Sequence, residues 1–414
     1  YISYPQIWPL MILKMVEITV VNGLTSRSPQ GLISFAILLC NLGFIELGYS
    51  IGKRALDLIE RTNAKALFTT ANHRFAMGVS HWKAPLQESI DRLQTAVSRG
   101  QGTGDFEYAS LALYNMMRVS FYAGENIEKL LRDFPNRQKQ LETFGKKRSI
   151  LMGEHWRQFL ITLNNPTGDG VTVSGDFAEE ESLLNYLKES NSVSGYQFCM
   201  FSKMQLAYLA RNFEFANTLR EENFDSIVSV FTGTMYIPIA HFFNALICIE
   251  VFRNNKQSKR FVMEAKRSLQ KLKKWAKKSP DNFLNKALLI EAELEALKDI
   301  NSISRYQLSI DKALNINNYL DAGIASELMG RNLIRSGFKS LGTVKIQEAV
   351  EIFDDWGAGN KSARLRKEFA EIDAAQDHLN YSNSSSSSHG IYDRIDLKTL
   401  AGTITTLTAN LNLN

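Results

Sequence analysis

A loop that cradles nucleotide phosphates needs Gly, four residues, then Gly-Lys-Ser/Thr. Its backbone amides wrap the phosphates, and the hydroxyl reaches magnesium. The nearest approach in this chain is Gly48-Tyr-Ser-Ile-Gly52-Lys53-Arg54. It is one residue short, carries arginine where the hydroxyl belongs, and follows a helical pattern rather than a strand. Its glycines read instead as points where two helices touch. Gly100-Gln-Gly-Thr-Gly104 lacks the spacing and preceding strand of a dinucleotide loop, and reads as a flexible connection between helices. Asp355-Trp-Gly357 has the outline of the metal-binding Asp-Phe-Gly of protein kinases. That motif works only with an upstream lysine, a His-Arg-Asp loop and a downstream asparagine, which do not stand here in order. A helix C-cap is the simpler reading.

The six histidines, His73, His81, His155, His241, His378 and His389, form no metal-type pair, and no cysteine stands near one. Gly78-Val-Ser-His-Trp82 misses the closing glycine of a nucleophile elbow. Glu154 precedes His155, the reverse of the phosphoacceptor order. Cys40, Cys199 and Cys248 lie far apart in apolar stretches with no CxxC pair, and read as buried, reduced thiols of a cytosolic protein. The sequence therefore nominates no catalytic, cofactor-binding or metal-ligating residue. Lys256 to Lys278 is a basic amphipathic stretch, with Lys259, Arg260, Lys266, Arg267, Lys271, Lys273, Lys274 and Lys277 set against the acid Glu264. Phe261, Ala265, Leu269, Leu272 and Ala276 form its apolar stripe. Such a helix could meet an acidic protein, nucleic acid or an anionic lipid surface. The solvated outer face of a repeat helix is the plainer reading, and no residue of it is nominated as a site.

The elements around these residues read as helices. With 44% hydrophobic residues in a chain of 414, burial is ample and global disorder is excluded. Only 8 prolines and abundant Leu, Ala, Glu and Lys favour helices over sheets. A net charge of +5 over this length does not mark a nucleic-acid-binding protein, and no such partner is expected. The apolar run Leu32 to Cys40 falls well short of the roughly 20 residues of a bilayer span and predicts a buried helix. No signal peptide or transmembrane segment is expected. Because the chain opens at Tyr1 inside an apolar pattern, it reads as a piece of something longer.

Helical spacing recurs at Ala55, Leu58, Ile59 and Thr62, and at Leu284, Ala287, Leu288, Glu291 and Leu294. Val171-Thr-Val173 is the one short strand candidate, inside a loop spanning 164 to 176. Gly43-Phe-Ile-Glu-Leu-Gly48, Gly104-Asp-Phe-Glu-Tyr-Ala109 and Arg211-Asn-Phe-Glu-Phe-Ala216 share a turn, an aromatic and a small residue, as a helix hairpin does when it closes. Such joints point to tetratricopeptide-type units of about 34 residues, with an irregular period here. Helices are expected from Ala322 to Ser336, ended by Gly337, and from Val344 to Trp356, stopped by Gly357. The domain plan is a helical-repeat domain over 1–380, with possible sub-units 1–160 and 178–380. A Ser-rich linker follows at 381–390, including Ser384 to Ser388. A connector over 391–414 places Leu397, Leu400, Ile404, Leu407 and Leu411 on a short heptad seam, which offers a route to dimerisation.

Four stretches, taken together, resemble the helical-repeat region of multi-sensor signal-transduction multikinases. The first comprises Met15-Val-Glu17, Gly23-Leu24, Ser28-Pro29, Gly48-Tyr49 and Gly52-Lys53-Arg-Ala-Leu56. The second is His81-Trp-Lys-Ala-Pro-Leu86 with Gly104-Asp105 and Tyr108-Ala109, and the third Trp275-Ala276, Pro280-Asp-Asn-Phe283, Lys286 and Ala292-Glu293. The fourth is Tyr306, Ile310, Ala313, Ala325-Ser-Glu327, Trp356-Gly-Ala358 and Lys361, and Ile395-Asp-Leu-Lys-Thr399 is similar to a connector into a sensor domain. The sequence departs from the pattern at Arg211-Asn212, where Gly-Asp is common, and in the loop from Asn164 to Asp176. The resemblance implies a cytoplasmic region between an upstream kinase-like domain with an AAA-type ATPase and a downstream GAF sensor with a histidine kinase. ATP and magnesium would belong to those flanking domains, which would also be its chief partners. The expectation is thus an all-α, tetratricopeptide-like α-α array (an α-solenoid) without catalysis of its own. The alternative is a free-standing repeat adaptor for protein partners.

Overall fold

The computed structural model describes residues 7–173, 180–254, 258–298 and 302–370. The Ser-rich linker and the heptad connector lie outside the described residues. Among those described, every regular element is a helix and there is no strand. Val171 to Val173 is irregular backbone.

The chain begins with α1 (Trp8–Asn22), α2 (Ser28–Asn41), α3 (Ile45–Arg61) and α4 (Phe68–Gly78). One-turn 3₁₀ segments at Lys65–Leu67 and Ser80–Trp82 flank α4. Next come α5 (Leu86–Thr103), α6 (Phe106–Tyr122), α7 (Ile127–Phe144) and α8 (Lys147–Asn164). Then follow α9 (Glu180–Glu189), α10 (Val193–Leu209), α11 (Phe213–Val230), α12 (Tyr236–Asn254) and α13 (Lys259–Ala276). The last are α14 (Pro280–Ala296), α15 (Ile303–Leu314), α16 (Tyr319–Arg335), α17 (Lys339–Trp356) and α18 (359–370). Neighbours in the chain pack together from α1 to α8 and from α9 to α17, and α8 meets α10. Contacts that skip one helix (α2 on α4, α4 on α6, α12 on α14, α14 on α16) carry the stack forward. That is the packing of a helical-repeat array.

The joints explain the repeat. A residue in the left-handed region ends one helix, and the next amide reaches back five residues to close a Schellman turn. Phe44 donates to the Leu39 carbonyl at 2.9 Å, Asn212 to Ala207 at 2.9 Å and Ala358 to Phe353 at 2.8 Å. The following side chain often caps the next helix: Asp105, Asn126, Asn212 and Asn318 each accept from an amide three residues on. The left-handed residues of Gly43 and Asn63, Gly104 and Gly124, Asn191 and Arg211, Asn317 and Gly337, and Gly337 and Gly357 stand twenty residues apart. The period is thus about twenty residues per helix, or about forty per pair, rather than the 34 expected. The helices are longer than a tetratricopeptide unit allows: α3, α6 and α16 have 17 residues, and α8 and α17 have 18.

The array also winds back on itself. The joint around Gly124 lies against the joint at Asn317, and Asn318 donates to the Tyr122 carbonyl, 196 residues away. Asn282 donates to His81 and Ala84, at separations of 201 and 198 residues. Asn164 donates to Gly357 and Asn360 to Asn165, 193 and 195 residues away. Trp356 donates its indole N–H to the Glu125 carbonyl at 3.1 Å. Successive superhelical turns therefore touch through their joints at offsets from 193 to 231 residues. One connected core runs from Ile33 to Phe369.

Gly48 and Gly52 are helix contacts. A Cβ at Gly48 would meet the Cys40 sulfur at 2.6 Å, and one at Gly52 would meet the Phe75 ring at 2.8 Å. The stretch from Gly100 is not a loose connection. α5 continues to Thr103 because Gly100 lets Ala109 approach, and Gly104 and Asp105 alone make the turn. α17 starts five residues before the expected Val344, because Gly342 packs on the Gly330 carbonyl inside a close helix crossing. One helix among the described residues, α12, is long and apolar enough to cross a membrane, and 83% of its apolar window is buried inside the fold.

Candidate functional site: a cationic cleft over a buried ionic chain

Three elements converge where α10 ends. Arg211 occupies the left-handed joint position that glycine or asparagine fills elsewhere, with φ 61°. Its neighbour Asn212 caps α11. The departure from Gly-Asp therefore changes the side chain presented and keeps the turn. α16 contributes Glu327 and Arg331, one helical turn apart. α18 contributes Lys361, Arg364 and Glu368, spaced to share one face.

The result is a cleft of about 250 Å³ lined by Leu209, Ala210, Arg211, Lys361, Arg364, Leu365, Lys367 and Glu368. Glu327 lies beneath it, only 3% exposed. Its carboxylate meets Lys361 at 2.7 Å, Arg331 at 2.9 Å and Arg211 at 3.5 Å. Burial pushes this carboxyl up, but the three cations outweigh it and hold it at about 2. Burial pushes the Lys361 ammonium down to about 8, against the pull of Glu327 and with added repulsion from Arg211 and Arg331. Glu368 is held by both terminal nitrogens of Arg331 at 2.6 Å. Arg364 donates to Asn360 at 2.9 Å and to the Asp169 carbonyl, which ties the long loop to α18.

Five cations and two carboxylates meet here. The uncompensated charge and the opening suit a carboxylate or phosphate group. The ionic chain continues beneath, between repeats. Arg253 bridges Glu250 at 2.6 Å to Glu293, which also accepts from Tyr306. Lys286 pairs with Asp321 across α14 and α16.

A second polar position lies in the aromatic core. Arg118 is 2% exposed, with its guanidinium carbon 2.9 Å from the Phe198 ring centroid and 3.5 Å from that of Tyr114. Its Nε and Nη2 atoms have no hydrogen-bond partner, and burial pushes its pKa down to about 9. It is a cation held by ring faces and by the Tyr236 hydroxyl.

The residues examined for chemistry in the sequence are scattered. His73 meets Asn115 at 3.1 Å and His241 meets Ser268 at 3.1 Å, on different helices, while His81 and His155 are buried elsewhere. His378 and His389 lie outside the described residues. The three cysteines are free and buried, their thiols pushed up to about 12 by burial. No group of three or more His, Cys, Asp or Glu among the described residues could hold a metal ion. On α13, Ala265, Leu272 and Ala276 face the core. Lys266, Arg267, Lys274 and Lys277 face solvent, while Lys273 pairs with Glu291.

Sequence reasoning did not assemble the cleft. Arg211, Glu327 and Lys361 each stood in a noted motif, but only the superhelix brings residues 211, 327 and 361 together. The one local signal was the four-residue step from Glu327 to Arg331. No protein-family model and no curated protein matches this chain.

Proposed function

We propose that this chain is the non-catalytic helical-repeat regulatory region of a large signal-transduction kinase. It couples an upstream ATPase/kinase part to a downstream GAF sensor and histidine kinase part. It works in the cytoplasm, its chief partners are the flanking domains, and ATP and magnesium are used there. The reading rests on the four resembling stretches. The observation that carries the coupling is the joint-to-joint stacking of superhelical turns: Gly124 on Asn317, Trp356 on Glu125 and Asn164 on Gly357. A close-packed stack resists continuous deformation, so displacement at one end is transmitted or the stack breaks.

The test uses the intact multidomain protein. ATP affinity of the upstream part is measured with and without a ligand on the sensor side. Coupling of about 5–150-fold is the range expected of such linkage. Trp356→Ala, which removes an indole seated between turns, should bring that factor towards one. Full coupling in a folded Trp356→Ala protein would end the proposal.

The second reading, a free-standing adaptor for protein partners, draws on the cationic cleft. It requires an acidic peptide to bind the isolated chain, and Arg211→Ala together with Arg364→Ala to abolish that binding. An isolated chain that binds no acidic peptide would exclude it.

A further inference from the structure

α1 packs on α2, and among its residues only Ile12 is buried. Trp8, Ile12, Met15, Val16 and Thr19 turn toward α2, where the Met15 Cβ sits 3.2 Å from where a Cβ on Gly31 would be. The opposite face is open. Leu10, Met11, Leu13, Ile18, Val20 and Val21 are 50–77% exposed. The only charges on α1 are Lys14 and Glu17. A patch of this kind marks an interface.

The order of residues on the open face says what fits it. At helical spacing the central stripe runs Leu10, Lys14, Glu17, Val21. Reversed, it reads apolar, acid, base, apolar. We propose that α1 pairs with α1 of a second copy of this chain, antiparallel and about a two-fold axis. In that pairing Lys14 meets Glu17 of the second copy, Glu17 meets its Lys14, and Leu10 meets its Val21. Leu13 and Val20 meet on one flank of the stripe, and Met11 and Ile18 on the other. A parallel pair would set Lys14 against Lys14 and Glu17 against Glu17, which costs association. The charges therefore select the antiparallel arrangement, and the aliphatic residues supply its adhesion. Lys14 and Glu17 lie 3.0 Å apart within one helix, so each is already held toward the centre of the face.

Sedimentation equilibrium of the full chain tests this, with circular dichroism as the check on folding. The wild-type chain should be a dimer. Leu13→Glu with Ile18→Glu should give a folded monomer. Lys14→Glu alone and Glu17→Lys alone should each weaken the dimer about tenfold. Mixing those two variants should restore wild-type affinity, because opposite charges then face each other across the interface. The pair within each helix stays broken on mixing, so recovery reads the interface alone. A wild-type monomer overturns the proposal, because the face then serves another segment or partner. A dimer that survives the double Glu variant overturns it in favour of another interface, the 391–414 connector included. Weakened single variants that do not recover on mixing overturn the antiparallel register.

Discussion

Arg118 sits against Phe198 and Tyr114, with no carboxylate ion pair among the described residues. A buried cation with unpartnered nitrogens is held at a cost that the ring faces offset only in part. Arg118→Met keeps the volume and removes the charge. Urea denaturation should show it more stable than wild type by about 1–2 kcal/mol, in line with the gain seen when buried charges yield to apolar residues. A loss would mean that the Tyr236 hydroxyl and the ring faces more than offset the buried charge. Glu327 is the opposite case. Glu327→Gln leaves Lys361, Arg331 and Arg211 facing one another, and should cost about 3–5 kcal/mol by the same measurement. At this scale the sequence was least informative. A type such as Arg118 in an apolar helix pattern, or Arg211 at a turn, says nothing of a partner far along the chain.

Helices and their ends were the legible scale. The core face Ala325, Leu328, Met329 and Leu333 is buried as its spacing predicts, and Gly337 and Gly357 end α16 and α17 at left-handed positions. Legibility failed where glycine signals contact rather than a break, as at Gly100 and Gly342. It also failed for the repeat length, because Asn63, Asn191, Arg211 and Asn317 adopt the left-handed conformation and hide the twenty-residue step from a search for glycine. Two glycines separate turn strain from turn stacking. Gly337 has φ +90° and nothing within 4 Å of an added Cβ, so Gly337→Ala should cost about 1–2 kcal/mol from backbone strain alone. Gly124 has φ +93°, and its added Cβ would fall on the Asn317 carbonyl. Gly124→Ala should cost at least about 2 kcal/mol more, because the two turns must part. Equal melting temperatures for the two variants would contradict the stacking of joints.

Across the whole molecule, the buried His81, His155 and His241 and the half-buried His73 sit on separate elements. Burial comes first in lowering each. His73 is lowered to about 4, and His81, His155 and His241 to about 3. Arg118 and Lys203 lower His155 further, and Lys271 lowers His241. The folded chain keeps them neutral, whereas the unfolded chain binds protons below pH 6.5. Stability is therefore full above that pH and falls as pH drops towards 3–4. At pH 5 the unfolded chain holds protons on these imidazoles that the folded chain does not, so each of them lowers stability there. Thermal unfolding should move sharply lower between pH 7 and pH 5, before most carboxylates titrate. Equal midpoints at the two pH values would show that these imidazoles are protonated in the fold. The all-α array could be read from the sequence, but its winding could not, because the offsets of 193 to 231 residues arise from small rotations summed over many helices.

Those offsets have a consequence for how the protein is made. The surface at residues 122–126 is covered by residues 317–318 and 355–356. At about 5–20 residues per second, a ribosome needs roughly 10–46 s to add the 196 to 231 residues between a joint and its cover. Until then the first turn leaves the tunnel with one flank bare, so the nascent chain needs a chaperone or must delay its final compaction until residues 317–356 have emerged.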